Sequence, residues 1–532
     1  MLQSRMQGPA DLRASRPLRL LLVVVPAMLS ACAPVGPDFV RPEVPANPAW
    51  LDAELEAFQT DSAKLEAWWS MLEDPVLDEL IATAHRENSA LEIAGLRVLE
   101  SQARLNIAVG TKYPQQQVLA GNISAIGASE STPNTGTTDT NFTEFNLGAS
   151  VAWEIDFWGR FRRGVEAADA SLLASIASYD EALVLLTAQV ADVYALIRAT
   201  EEQLRLAKES YAIQERSYEI AEVLYRNGSS SELDALQART QLLGTAAVIP
   251  DLETTLRQLK NALSVLLGRN PGGVDDILKG EGSLPAIPET IATGIPADLL
   301  RQRPDVRRAE LQALAQNALV GVAEANLYPS FSIAGRLGVT TAEGSSSTSS
   351  GDSGVEQLFS SDSIGYSIGP AFVWPFFNYG RIRNNIRVED ARLQQALLAY
   401  RETVIQASRE VEDAIVALVG ARQQDRILAE GVLAARRSAE LSLLRYQEGF
   451  ADYQRVLQAQ QALFGQQQRY ASNRGTVMRS FIALYRGLGG GWQSASPPEF
   501  TDEATRQQMR ERTNWGNLLD TPPARRPRDA DD

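Results

Sequence analysis

The chain has 532 residues, with 50 Lys+Arg against 66 Asp+Glu and a formal net charge of −16. An apolar content of 44% supports a packed core and excludes wholesale disorder. A single cysteine excludes an intrachain disulfide framework, and a single histidine (His85) excludes most histidine-based metal or acid–base sites. The acidic balance argues against nucleic acid as a partner, because phosphate binding needs clustered Lys/Arg.

Residues 1–31 read as an export signal. Arg5, Arg13, Arg16 and Arg19 form a basic start, and Leu20 to Leu29 an apolar run too short to span a bilayer. Leu29-Ser30-Ala31-Cys32 follows. This resembles the bacterial lipobox, in which the cysteine becomes the new N-terminus and carries a diacylglycerol and an N-acyl chain. A plain signal peptide with a chance cysteine is the alternative. Ala33, rather than Asp, follows Cys32, which resembles the rule for sorting to the outer membrane. Loss of residues 1–31 removes four arginines and Asp11 and takes the charge from −16 to −19. The remaining chain has no charge-free apolar run of about 18 residues, so no transmembrane helix is expected after the signal.

Residues 32–67 are Pro-rich and extended. From there the chain repeats itself, in segments 68–280 and 281–492. Gly159-Arg160 recurs as Gly380-Arg381, Tyr225 to Gly228 as Tyr446 to Gly449, Leu236 to Ala238 as Leu457 to Ala459, and Leu267-Gly268 as Leu488-Gly489, all offset by 221. Tyr113-Pro114 recurs as Tyr328-Pro329 at an offset of 215. Each half starts with a helical segment, Pro75 to Gly110 or Pro296 to Asn326, which the Tyr-Pro step ends. A pair of period-two segments follows, with Val151, Trp153, Ile155 and Phe157, then Phe331, Ile333, Leu337 and Val339, then Tyr366, Ile368, Phe372, Trp374 and Phe376 on apolar faces. The joining stretches Ser129 to Thr140 and Thr341 to Ser363 are Ser/Thr/Gly-rich loops.

Each strand pair leads into a long helical run, Arg160 to Tyr225 or Arg381 to Tyr446, the first about 100 Å at 1.5 Å per residue. Ile176, Tyr179, Leu183, Leu186, Val190, Val193 and Ile197 step by three and four, as do Leu397, Tyr400, Val404, Ala407, Val411, Ala414 and Leu418. That is a coiled-coil seam. A short turn and a returning helix follow, the first with Pro250 expected to kink it. Residues 493–532 are polar and are expected to be mobile.

Four strands with an apolar face and aromatic ends (Trp153, Phe157, Trp158, Trp374, Phe376, Phe377) point to a membrane β-barrel or, alternatively, to a soluble sheet packed on the helices. Four strands cannot close a barrel, so chains must pool them.

The residues then meet a known family. Arg303-Pro304-Asp305-Val306 with Arg308-Ala309-Glu310, both Tyr-Pro steps, Phe157 to Arg160, Arg445-Tyr446 with Gly449, and Leu488 to Trp492 together resemble outer-membrane efflux proteins of the TolC-like family, in its lipoprotein branch. The resemblance runs from about Trp68 to Trp492. It implies a mixed α+β membrane protein, a homotrimer whose twelve-stranded transmembrane β-barrel continues into a periplasmic α-helical coiled-coil barrel. It implies a passive duct, with no catalysis, that serves a periplasmic adaptor (membrane fusion) protein and an inner-membrane RND-type pump. Apart from lipid on Cys32 and the outer-membrane lipid around the barrel, no cofactor, metal or nucleic acid is expected. The alternatives are a lipid-anchored periplasmic coiled-coil adaptor or scaffold, and a duct for metal ions or proteins.

In this family the tunnel narrows at the helix-to-helix turns, here Tyr225 to Asp234 and Tyr446 to Arg455. The acidic gate candidates are Glu232, Asp234, Glu448 and Asp452. Asp452 lies nearest the expected position, one residue after Ala451, and could equally cap the next helix. Phe450 could add an apolar constriction or pack the tip. Gly228, Gly449 and Arg445 are candidates for adaptor contact, although turn geometry alone could require both glycines.

Overall fold

The computed structural model describes residues 34–43, 50–51, 58–59, 65–127, 129, 131, 140–279, 282–292, 300–344, 355–493, 500–521 and 523. Cys32, the signal segment and most of both Ser/Thr/Gly-rich loops lie outside these residues. In chain order the elements are α1 (Pro75–Glu87), α2 (Ser89–Gly110), β1 (Gln116–Gly127), β2 (Asn141–Ile155), α3 (Arg160–Arg226) and α4 (Glu232–Leu266). Then come α5 (Pro304–Ala325), β3 (Ser330–Gly344), β4 (Ile364–Val373), α6 (Arg381–Gln447), α7 (Tyr453–Gly487) and α8 (Glu503–Arg512). The helices α3 and α6 have 67 residues each, α4 and α7 have 35 each, and both pairs are offset by 221. The chain forms two compact units, and neither follows the repeat boundary. One holds Met1–Val40, Ala103–Ser171 and Gln312–Ala396; the other holds Arg41–Gln102, Leu172–Leu311 and Leu397–Asp532.

The first unit contains an antiparallel sheet in the order β1-β2-β3-β4. Its register sorts the side chains onto two faces, as a period of two requires. One face carries Leu119, Phe145, Leu147, Val151, Trp153, Ile333, Leu337, Tyr366, Ile368 and Phe372. From Phe145 to Ile155 this band covers about 34 Å of strand, or about 25 Å of height once strands tilt as barrel strands do. The other face is mostly Ser, Gly, Ala, Asn and Thr, with Gln116, Val118, Ile126, Phe142 and Val373 among them and few charges. β3 continues to Gly344, so the expected loop from Thr341 begins later. β4 stops at Val373 and β2 at Ile155, leaving Trp374, Phe376 and Phe157 beyond the strands. Pro375, which cannot donate to a ladder, stands just after the end of β4.

Two tryptophans hold the strand ends to the preceding turns, once in each repeat. Trp153 Nε1 donates to Lys112 O (3.2 Å) and Trp374 Nε1 donates to Leu327 O (3.0 Å). Both acceptors stand one residue before a Tyr-Pro step, which gives that motif a structural reason. The same unit holds residues 34–40. Val35 N donates to Trp158 O (3.0 Å), and buried Arg163 donates to Val35 O, Gly36 O and Asp38 Oδ1. A Cβ on Gly36 would stand 2.4 Å from Gly321 Cα, and one on Gly159 would stand 2.4 Å from Pro34 Cβ. Only glycines let these backbones approach so closely.

The second unit is helical. The two seams behave as expected: six of the seven residues in each are buried, Val193 and Leu397 being the half-buried exceptions. The expected first helix is instead two. Asn88 breaks it by accepting from Leu91 N and donating to Leu266 O (both 2.9 Å), so it caps α2 and ties the end of α4. The helix proper of the second repeat begins at Pro304, immediately after Arg303. Pro250 sits inside α4, which continues on both sides of it.

Two motifs meet in this unit. Arg303 is buried, donates to Gly487 O (2.5 Å) at the end of α7 and pairs with Asp305 and Glu410. Gly489, at φ +73, lies against the Arg303 side chain, and Gly491 donates to Leu65 O (2.8 Å). Trp68 then stacks on Tyr485 with ring centroids 5.5 Å apart.

Residues 500–521, expected as part of a mobile tail, fold onto α2 instead. Met509 and Leu519 pack on Leu99, Phe500 packs edge-on against Tyr179, and Thr505 Oγ1 donates to Glu92 Oε1 (2.6 Å).

Candidate functional site

The two turns that end the helical hairpins have the same construction. After α3, Gly228 N donates to Tyr225 O (2.9 Å) and Ser229 N to Leu224 O (2.8 Å). After α6, Gly449 N donates to Tyr446 O (3.0 Å) and Phe450 N to Arg445 O (2.8 Å). These are left-handed glycine caps, with φ +72 at Gly228 and +78 at Gly449. A Cβ at either would meet nothing within 4 Å, so backbone conformation alone accounts for glycine there.

The acidic candidates have different surroundings. Asp234 is half-buried, and its Oδ2 accepts from Ser230 Oγ (2.5 Å). Ser230 Oγ also lies 3.2 Å from Tyr446 OH. A serine hydroxyl has one proton, and here it goes to the carboxylate, so Tyr446 donates to Ser230. The chain Tyr446–Ser230–Asp234 links the two hairpin turns. Burial raises the Tyr446 phenol, its hydrogen bond with Ser230 lowers it, and the charge of Asp234 raises it again. Burial, with Tyr446 and Asp234 nearby, raises Tyr453. Both rings therefore remain neutral donors at ordinary pH. They pack edge-to-face at 5.2 Å over Ala221, Ala238 and Val456.

Glu232, Glu448 and Asp452 are exposed and take no part in this link. Asp452 occupies the N-cap position of α7 by backbone geometry (φ −74, ψ 151), but its side chain makes no capping bond. By contrast, Ser231 caps α4 by accepting from Asp234 N (3.3 Å). Phe450 is 80% exposed and stands outside the tyrosine cluster, and Arg445 is exposed as well. Sequence reading passed over Tyr446, Tyr453 and Ser230. The signal available was two tyrosines flanking the second turn, Tyr446 at the end of α6 and Tyr453 at the start of α7.

The sheet is the second functional surface. Apolar side chains crowd one face, and several of them are largely exposed, including Leu119, Tyr366 and Ile368. The edges β1 and β4 have a neighbour on one side only. A long edge with an exposed apolar face invites pairing with another chain.

Comparison with known proteins gives a consistent picture. The sequence model described as "Outer membrane efflux protein" matches residues 80–269 and 295–490. A pyoverdine export outer membrane protein, OpmQ of Pseudomonas putida, is 30% identical over 90% of this chain and 99% of its own length. The toluene efflux pump outer membrane protein TtgF of P. putida is 31% identical over 90% and 98%. The cation efflux system protein CusC of Escherichia coli K12 is 29% identical over 89% and 100%. Among solved structures, the outer-membrane channel OprN superposes with a TM-score of 0.80 at 29% identity, covering 86% of this chain and 99% of that one.

Proposed function

The chain belongs to the outer membrane efflux protein family and is an outer-membrane efflux channel; from that premise we propose that three copies assemble into a passive exit duct for small organic solutes. The observation that carries this reading is the sheet: one apolar face, one small and polar face, and two open edges. Four strands are too few to close a barrel, and about eight is the observed minimum. Two copies would reach that number with a lumen filled by side chains, whereas three leave room for cargo. The apolar face then meets lipid and the polar face lines the lumen.

The helices support the same assembly. Leu398, Ile405, Val416 and Ile427 are exposed along α6 at spacings of 7, 11 and 11 residues. Such a stripe is buried when helices of neighbouring copies lie alongside it. The partners are a periplasmic adaptor, which meets the hairpin turns, and an inner-membrane RND-type pump, which supplies energy. No step of the duct requires catalysis.

Lipid on Cys32 is an accessory anchor in this reading. Pro34, two residues on, packs against Gly159 beside the end of β2. Soft metal ions are a poorer fit as cargo. Past residue 32 the chain has only Met71, Met478 and Met509. Met478 and Met509 are buried, and Met71 Sδ faces Tyr485 OH at 3.9 Å.

The test uses cells that carry the native pump. A photo-crosslinking side chain at Gly449 is expected to capture the adaptor while trimers still reach the outer membrane. Trimers in place with no adaptor captured from either hairpin turn would contradict the proposal. Cys32→Ala is expected to leave the protein membrane-bound, whereas full release into the periplasm would favour a lipid-anchored adaptor or scaffold.

A further inference from the structure

The small, polar face of the sheet is not uniform. At one level its residues are Ala120 on β1, Gly148 on β2, Gly338 on β3 and Gly365 on β4, directly paired in that order. On the next level toward the helices stands Arg336, between Ser150 and Ser367. Its side chain crosses the glycine level rather than projecting straight out. Nη2 donates to Asn146 Oδ1 (3.0 Å), and a Cβ added to Gly148 would stand 3.8 Å from Arg336 Nε. The missing side chain of Gly148 leaves the space beside which the guanidinium lies.

Asn146 is neutral, so it orients the guanidinium without cancelling its charge. Among the described residues Arg336 makes no ion pair. The strands that can flank it offer little compensation. On this face β1 presents Gln116, Val118, Ala120, Asn122 and Ser124, and β4 presents Gly365, Ser367, Gly369 and Ala371. The carboxylates of the face are on β2. Glu154 lies near the helix end, paired with Arg160, and Glu144 lies one step past Asn146 toward the loops.

We propose that Arg336 is a selectivity residue of the duct, set to attract carboxylate-bearing anions in the barrel. This rests on the three-copy duct reading. Three copies place three guanidiniums at one level of a wall of small side chains, each sharing its cavity with Glu144 but forming no ion pair among the described residues. A charge ring with low-dielectric walls concentrates counter-ions, and a guanidinium fork matches a carboxylate. The guanidinium is the one cationic group that the described strand residues of this face present.

The experiment uses the full-length protein in planar bilayers, with citrate added on the loop side. Citrate is expected to block the wild-type current. The half-blocking concentration should rise at least about tenfold in Arg336→Gln. Arg336→Lys, which keeps the charge, should stay within about threefold of wild type, and raising KCl should shrink the difference by screening. Native mass spectrometry checks that each variant is assembled. Equal citrate block in wild type and Arg336→Gln would overturn the assignment and leave the duct intact. A wild-type protein that conducts nothing would overturn the duct reading on which the assignment rests.

Discussion

At the tip, a phenol, a hydroxyl and a carboxylate stand in series between the two hairpin turns. Tyr446→Phe removes the donor but keeps the ring packing against Tyr453, and it should cost the link about 1 kcal/mol. The expected outcome is a larger single-channel conductance, measured in bilayers, with assembly unchanged. Asp452 plays a different part. Its exposed carboxylate makes no capping bond, so Asp452→Ala should leave stability unchanged and reduce cation preference, read as a shift in reversal potential under a salt gradient. His85 gives a pH prediction. Burial lowers its pKa from the ordinary 6.5 to about 4, with Nε2 2.7 Å from Thr187 Oγ1. Below pH 6.5 the unfolded chain binds a proton that the folded chain refuses. The stability contribution is therefore fully present above pH 6.5 and is lost as pH falls toward 4. Thermal unfolding at pH 7 and pH 5 should differ less in His85→Gln than in wild type. The acids were legible in the sequence because charge identifies them. The Tyr446–Ser230–Asp234 link was not, because it joins residues 216 apart that only the packed hairpins bring together.

At the scale of elements, period and punctuation revealed most of the fold. Both seams, both long helices and the strand faces follow from spacing, and the 221-residue offset holds for every element of the hairpins. The errors fell where one residue does two jobs. Asn88 caps one helix and ties another, so a single helix became two. The C-terminal region was misjudged because its composition is polar, while its few apolar groups, Phe500, Met509, Trp515 and Leu519, find partners on distant segments. Gly95 makes that docking possible, since a Cβ there would stand 1.7 Å from Phe500 O. Gly95→Val should therefore release residues 500–521, seen as faster proteolysis near residue 500 with the assembled channel intact. Unchanged protection would contradict the docking role.

At the scale of the whole molecule, the sequence already carried the signs of a shared structure: strands too few to close and apolar stripes too long to remain exposed. What spacing could not supply was which residues of neighbouring strands stand side by side. The paired register does that, bringing Leu119, Leu337, Tyr366 and Ile368 of different strands together on one side and Gly148, Gly338 and Arg336 on the other. Function follows from that separation, because one surface can meet lipid while the other lines a path. The number of copies is the claim on which the rest depends. Native mass spectrometry of the detergent-solubilised mature protein tests it most directly. The account predicts a species of three times the mass of one lipidated chain, and a stable monomer or dimer with no trimer would contradict it.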